Sequence, residues 1–207
     1  MMARMANAVD DSELMDRWQG GDARAGEVLV ERYFDPLYNF FQTKLDTDAD
    51  ELVQLTFLAC VDAKERFRRE ASFRTFLYAI AKNQLYAFVR KRSTRADRHI
   101  ELEASSIVDL VSTPRTKIAR NQDYELLLGC LRRLPVEQQT LLELHYWSDL
   151  GMAELAAIFE APEVTIRSRL HRARTALREL LAAGSVPAGA SLEQTDEWAR
   201  TLSQARG

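Results

Sequence analysis

Apolar residues recur at intervals of three and four positions along nearly the whole chain, and no stretch alternates apolar and polar residues for long. This spacing puts apolar side chains on one face of an α-helix, whereas alternation would indicate a strand. Only 8 Gly and 5 Pro interrupt the pattern in 207 residues. The sequence therefore predicts an all-α fold, with helices at about 11–19, 22–44, 48–68, 72–92, 115–133, 136–147, 152–159 and 163–182.

Two breaks in this pattern divide the chain. Residues from about Arg95 to Pro114 lack helical periodicity and collect Ser and Thr, which predicts a flexible linker at 95–119. Residues 184–190 contain two Gly, a Pro and a Ser, so a flexible tail is expected over 184–207. We therefore expect two small helical domains, at 1–94 and 120–183. Helix starts are indicated by Asp48 and Ser72 as N-caps and by Pro135.

Composition limits the class of protein. A chain that is 46% hydrophobic and 29% charged is typical of a globular protein. The sequence contains no run of 18 apolar residues, so it predicts no transmembrane helix. Residues 1–22 lack the apolar stretch of a secretory signal. Cys60 and Cys130 each stand among apolar residues, which favours buried free thiols in a reducing compartment. We expect a cytoplasmic protein.

The charge is unevenly distributed around a net value of −3. Residues 1–62 carry 5 Lys and Arg against 13 Asp and Glu, whereas residues 64–98 carry 11 against 3. A second basic stretch, at 163–178, carries 5 against 1. Two basic stretches in an acidic chain indicate two separate contacts with a polyanion, although charge runs can also be solvated helix faces.

The C-terminal basic stretch lies in a segment, 152–174, with the pattern helix, tight turn, helix. Leu155, Ala156 and Phe159 make the first apolar face, and the second helix has one stripe at Ile166, Leu170, Ala173 and Leu177. Its opposite face carries hydroxyl and basic side chains, at Thr165, Ser168, His171 and Arg172, flanked by Arg167, Arg169 and Arg174. These groups contact base edges and phosphates in the major groove, which predicts a helix-turn-helix. The alternative is a helical hairpin with a solvated basic face.

The N-terminal basic stretch contains a helix, 72–92, with two different faces. One face is apolar, and the other carries Thr75, Tyr78, Lys82, Asn83, Tyr86 and Arg90. Exposed aromatic rings among cations suit single-stranded DNA, because bases stack on rings while the phosphates meet Lys and Arg. The alternative is that Tyr78 and Tyr86 are half-buried core residues. A preceding helix leaves Glu51, Gln54, Leu55 and Leu58 on a mixed outer face, which suggests either a protein partner or a solvated surface.

Three segments together resemble the extracytoplasmic-function (ECF) type of the sigma-70 family of RNA polymerase sigma factors. Residues 48–57 are similar to the polymerase-binding segment of sigma region 2, and residues 70–83 to its promoter-melting segment. Residues 164–174 resemble the recognition helix of region 4. The resemblance covers about 22–94 and 120–182, and the absence of a region 3 domain between them is typical of the ECF type.

The resemblance implies a transcription initiation factor that binds core RNA polymerase and directs promoter recognition and melting. Contacts with the β′ clamp helices would come from Asp50, Glu51, Leu52, Gln54 and Phe57, and region 4 would meet the β flap. Contacts with the −10 element would come from Phe67, Arg68, Ser72, Arg74, Tyr78, Lys82 and Asn83. Contacts with the −35 element would come from Thr165, Arg167, Ser168, His171 and Arg172. Promoter DNA and an anti-sigma factor are the other partners it implies.

Two positions depart from the family pattern. Leu55 stands where the family often has Glu, and Glu160-Ala-Pro replaces a turn that usually carries Gly. The three histidines are scattered, and no Cys/His/Asp cluster has metal-ligand spacing. We therefore expect no enzymatic activity, metal site or cofactor. The other function considered is a stand-alone helix-turn-helix regulator that binds an operator by itself.

Overall fold

The computed structural model describes residues 9–45, 47–67, 71–92, 102, 105–110 and 122–183. Within these ranges the chain is helical, and an isolated antiparallel bridge joins Ser106 to Pro135. A 3-10 turn at Lys64–Arg66 follows the third helix. The helices are α1 (Asp11–Gln19), α2 (Ala23–Gln42), α3 (Ala49–Ala63), α4 (Phe73–Arg92), α5 (Ile107–Leu110), α6 (Gln122–Leu131), α7 (Val136–Tyr146), α8 (Met152–Phe159) and α9 (Glu163–Ala183).

The all-α prediction is confirmed, and most predicted helices begin and end within a few residues of the observed ones. The helix expected over 48–68 is shorter and ends at Ala63. The start of the helix expected over 115–133 lies outside the described residues, as does the tail from 184. No helix in the described ranges is long and apolar enough to cross a membrane.

Helices α1 to α4 form the N-terminal half. The carboxylate of Asp22 accepts the N–H groups of Arg24 and Ala25 and so caps α2. Ser72 caps α4 as expected, since its Oγ accepts the N–H of Thr75 at 3.1 Å. Asp48 precedes α3 without a side-chain cap. The core of this half is built from fully buried side chains of all four helices, including Met15, Leu29, Leu37, Phe41, Leu52, Leu77 and Leu85.

Helices α6 to α9 form the C-terminal half, in which α7, α8 and α9 pack on one another. Val136 begins α7 directly after Pro135, as predicted. Cys130, in α6, and Cys60, in α3, are buried free thiols, as the sequence indicated. Burial raises the pKa of the Cys60 thiol to about 12, so this group stays protonated at neutral pH.

Part of the predicted linker is packed rather than flexible. Leu102 and Ile107 are buried, and Ile107 lies in the short helix α5, which the sequence did not predict. The backbone N–H of Val136 donates to the carbonyl of Ser105 at 3.0 Å, and that of Glu137 donates to Leu102 at 3.2 Å. The apolar residues around Ile107 are confined to 107–111, which is too short a run to give a clear helical period, and this explains why the sequence suggested flexibility.

The two halves pack against each other. Helix α4 lies along α8, and the guanidinium of Arg132 donates to the carbonyl of Thr43 at 2.7 Å. Nearby, the ammonium of Lys44 meets the carboxylate of Glu143 at 2.5 Å, and both side chains are almost fully buried. Thr43 and Gln139 donate hydrogen bonds to the same carboxylate, so the buried charges are solvated by protein groups.

Candidate nucleic-acid interface

The recognition helix α9 has the two faces that the sequence predicts. Its apolar stripe, Ile166, Leu170, Ala173 and Leu177, is buried against α7 and α8. On the other side Arg167, Ser168, His171 and Arg172 are exposed, and Thr165 is half-buried. An exposed row of guanidinium, hydroxyl and imidazole groups on a rigid helix can contact base edges and phosphates.

Two flanking arginines of α9 have partners within the protein. Arg169 donates to the carboxylate of Glu137 at 2.6 Å, and Arg174 donates from Nε to the hydroxyl of Tyr146 at 2.5 Å. Both contacts tie α9 to α7. Sequence reasoning placed both arginines beside the DNA-facing row, but it could not distinguish cations held by α7 from the exposed Arg167 and Arg172.

Sequence reasoning also left Val164 out of the predicted −35 set. This residue lies in the first turn of α9 and 73% of its surface is exposed, the largest value among the exposed large apolar residues of the described ranges. An apolar side chain at this end of a recognition helix can contact a thymine methyl group. Its position next to Thr165 in the sequence could have identified Val164 as a candidate.

The strand-binding face predicted on α4 is covered by the C-terminal half. Arg74 donates to both carboxylate oxygens of Glu154, at 3.0 and 3.1 Å. Lys82 donates from Nζ to the carbonyl of Ile158 at 2.7 Å. Tyr78 is only 2% exposed. The expected exposure of this face is therefore not found for Thr75, Tyr78 and Lys82. Thr75 and Lys82 contact α8, whereas the ring of Tyr78 packs on Phe40 of α2, with centroids 5.7 Å apart.

This burial changes the ionisation of the covered groups. Desolvation raises the pKa of the Tyr78 hydroxyl and lowers the pKa of the Lys82 ammonium, with the Glu160 carboxylate partly opposing the second effect. Partial burial acts to raise the pKa of the Glu154 carboxyl, but hydrogen bonds from Gly151 and Arg74 outweigh it, and that pKa lies below its ordinary value. Glu154 therefore faces Arg74 as a carboxylate at neutral pH.

Of the other predicted −10 residues, Phe67 and Ser72 lie just before α4, and Asn83 lies near its middle. The half-buried ring of Phe67 packs on Phe76, with centroids 5.0 Å apart. Ser72 and Asn83 are exposed, and Arg68 lies outside the described residues. The segment that would hold an unstacked base is thus described at its two ends, Phe67 and Ser72.

The predicted polymerase-binding helix α3 presents an acidic and apolar face. Asp50, Glu51 and Gln54 are exposed and Phe57 is half-buried. Leu55 and Leu58 are 39% and 61% exposed, and Val61, which sequence reasoning missed, continues the row at 46%. Spacing by three along the helix could have identified Val61. Leu52 is a correction, because it is 1% exposed and packs in the core, so its side chain cannot contact a partner here.

Comparison with known proteins assigns both halves. Residues 29–95 match the family model described as "Sigma-70 region 2", and residues 124–177 match "Sigma-70, region 4". The two matches cover more than half of the chain and occur in the order expected for a sigma factor. The chain belongs to the sigma-70 family, in its ECF type. Region 2 includes α3 and α4, and region 4 includes α7, α8 and the stripe of α9.

Curated relatives extend the likeness over most of the chain. The ECF RNA polymerase sigma-E factor of Haemophilus influenzae is 28% identical over 82% of this chain and 94% of its own length. The sigma-E factor of Escherichia coli strain K12 is 29% identical over 84% and 95%. Members of this family are non-enzymatic initiation factors that direct transcription, and this architecture is not that of a stand-alone regulator.

Solved structures share the fold. CnrH, in complex with the cytosolic domain of CnrY, superposes with a TM-score of 0.61 at 24% identity and covers 84% of this chain and 99% of its own. The sigma factor RpoE of Bartonella quintana, in complex with the anti-sigma factor NepR, gives a TM-score of 0.56 at 25% identity, over 78% and 97%.

Proposed function

We propose that this sigma factor directs initiation by dividing three contacts among its helices. The exposed side of α3, with Asp50, Glu51 and Gln54, binds the β′ clamp helices of core polymerase. The row on α9, with Arg167 and Arg172, binds the −35 element, and region 4 as a whole meets the β flap. The observation that carries this proposal is the occurrence of region 2 and region 4 matches, in that order, on helices whose exposed faces bear the required groups.

The −10 contacts are assigned to the segment from Phe67 to Asn83. Bases extruded from the duplex would meet the segment between Phe67 and Ser72, and the strand would follow α4 past Arg74, Tyr78 and Lys82. Capture of an extruded base offsets the cost of unpairing it, which is a few kcal/mol. The chain supplies binding energy and no chemistry, since the polymerase forms the phosphodiester bonds. We place this activity in the cytoplasm, where polymerase and promoter DNA are found.

An anti-sigma factor is the remaining proposed partner. Both structural neighbours described above were solved with a partner chain, and for RpoE that partner is named as an anti-sigma factor. The apolar row Leu55, Leu58 and Val61 gives this chain a surface that a protein partner can bury.

A polymerase pull-down followed by run-off transcription on genomic fragments tests the function. The wild-type chain should bind core polymerase and produce discrete transcripts that neither component produces alone. A Glu51→Ala, Gln54→Ala double variant should lose binding, while Glu13→Ala, at an exposed position on α1, should not. A wild-type chain that fails to bind core, or that binds an operator tightly by itself, would contradict the proposal.

A further inference from the structure

We propose that region 4 of this chain competes with nucleic acid for the strand-binding face of region 2, and that the carboxylate of Glu154 takes the place of a backbone phosphate there. The inference rests on the proposed function, because it takes the α4 face as the site for the melted strand. Helix α8 and the residues just before it are the internal competitor. In the free chain, the strand-binding face of α4 would then be inaccessible to single-stranded DNA until the two halves separate.

Glu154 engages the donors that a phosphate would use. Its two oxygens both accept from Nη2 of Arg74, while Nη1 of Arg74 donates to the carbonyl of Ser148. Its Oε1 also lies 3.3 Å from the hydroxyl of Thr75 and 3.4 Å from that of Ser72. A planar guanidinium with hydroxyl groups beside it is a common donor set for phosphate oxygens. All three donors lie at the start of α4, and one carboxylate from α8 contacts all of them.

The second contact covers Lys82, the cation farther along α4. Lys82 donates to Ile158, one of the last carbonyls of α8, which have no partner within their own helix. Glu160 lies 4.0 Å from the same ammonium. Between these two contacts Tyr78 is buried, with its ring edge-on to Phe40 of α2 and its hydroxyl hydrogen-bonded to Ser148, so a base has no access to the ring.

A third contact, between Lys44 and Glu143, favours one arrangement of the two halves. A buried pair with hydrogen-bonding neighbours is satisfied only when both partners are in register. Any displacement of region 4 would leave Lys44 and Glu143 buried without their partners or expose both to water. The polar contacts at α4 and at Lys44 therefore act together to hold the closed arrangement.

The closed arrangement affects only one of the two nucleic-acid faces. The α9 row that would bind duplex DNA stays exposed, with Arg167, Ser168 and Arg172 facing solvent. Competition by Glu154 should therefore weaken binding of a single strand and leave binding of a duplex unchanged. This asymmetry distinguishes competition at α4 from a general effect of negative charge.

Anisotropy titrations of the full chain with a labelled mixed-sequence single strand test the proposal. Glu154→Gln removes the charge that faces Arg74, and its amide oxygen can still accept the N–H of Gly151 that begins α8. Its affinity for the strand should rise by about threefold to tenfold over wild type. Glu179→Gln, an equal charge change at an exposed position of α9, is the matched control and should not change it.

A second variant and a distance measurement complete the test. Glu143→Gln removes the buried charge that faces Lys44 and should also raise strand affinity, by about tenfold. Dyes on Asp35→Cys and Ala182→Cys, two exposed sites in different halves, should report a lower transfer efficiency in both Glu→Gln variants than in wild type. The native Cys60 and Cys130 are buried and should not be labelled.

Three results would overturn the inference. Strand affinity could stay unchanged in Glu154→Gln, rise equally in Glu179→Gln, or rise together with duplex affinity by the same factor. Run-off transcription with core polymerase separates this failure from a failure of the proposed function. A wild-type chain that supports initiation while Glu154→Gln binds strand no better would reject only the internal competition.

Discussion

Gly26, in the middle of α2, lies directly under the indole ring of Trp18. A Cβ at this position would be 2.5 Å from Nε1 of Trp18 and 2.7 Å from two further ring atoms. Trp18 is itself buried and packs edge-on to Phe73, with centroids 6.5 Å apart, so the ring cannot simply move outward. Glycine is kept here for space, although alanine is the better helix former.

We expect Gly26→Ala to lower the free energy of unfolding by about 1–3 kcal/mol, because overpacking outweighs the gain in helix propensity. Gly129→Ala in α6 is the matched control, since nothing lies within 4 Å of its Cβ position. That substitution should raise stability by about 0.5–1 kcal/mol. Urea unfolding followed by circular dichroism measures both values, and a stable Gly26→Ala would show that Trp18 can be displaced.

Arg172 is the exposed cation of α9 on which the −35 assignment depends most. Arg172→Ala should weaken holoenzyme binding to a −35 fragment by about 1–3 kcal/mol, through loss of a base or phosphate contact. Affinity at fixed salt measures this effect, and a slope against salt concentration separates a phosphate contact from a base contact. Arg178→Ala, nearer the C-terminal end of the same helix, is the control and should bind nearly as wild type does.

The turn between α8 and α9 is the element that aims the recognition helix. Glu160 has φ 52° and ψ 43°, the left-handed conformation, and the N–H of Ala161 donates back to the carbonyl of Ala156 at 3.1 Å. This is the geometry of a helix C-terminus that usually uses glycine. The departure from the family pattern at Glu160 therefore changes the residue type but preserves the conformation of the turn.

Glu160→Gly should therefore stabilise the protein by about 0.5–1 kcal/mol, because glycine adopts a positive φ without a Cβ clash. Thermal unfolding measures the gain. Ala157→Gly, at an exposed interior position of α8, should instead cost about 1 kcal/mol. Equal destabilisation by both substitutions would mean that the Glu160 side chain contributes more than its backbone strain costs.

Elements with a single buried face were predictable, and those covered on two sides were not. The stripe of α9 and the outer face of α3 follow from spacing alone, because each helix packs on one side only. Helix α4 packs on α3 with one side and on α8 with the other, so Thr75 and Lys82 on its polar side are also buried. No periodicity within α4 contains that information, since it depends on residues about eighty positions away.

At the scale of the whole molecule, Lys44 and Glu143 join two halves that are separated by 99 positions in sequence. Neither residue was a candidate from the sequence, because a lone lysine and a lone glutamate look like ordinary surface charges. Removing one partner of such a pair leaves the other buried without compensation, which costs about 3–5 kcal/mol.

We expect Lys44→Met and Glu143→Met each to cost about 3–5 kcal/mol of unfolding free energy, and the double variant to cost clearly less than their sum. Urea unfolding of the four proteins gives the coupling energy. Arg17→Met and Asp22→Met form the control cycle for an exposed pair, with N–O distance 2.8 Å, and should show a coupling below about 1 kcal/mol. Additive losses at Lys44 and Glu143 would mean that the halves are not held together by this pair in solution.

The backbone pairing of Leu102 and Ser105 with the start of α7 sets a limit on distance. A chain of 29 residues separates Arg92 from Gln122, and fully extended it could span about 100 Å. The hydrogen bond from Glu137 to Leu102 attaches this segment to region 4 after only nine residues, so the connection from the end of α4 can span at most about 35 Å. If region 2 and region 4 have to lie farther apart than this connection allows in order to bind both promoter elements, the hydrogen bonds to the start of α7 must break first.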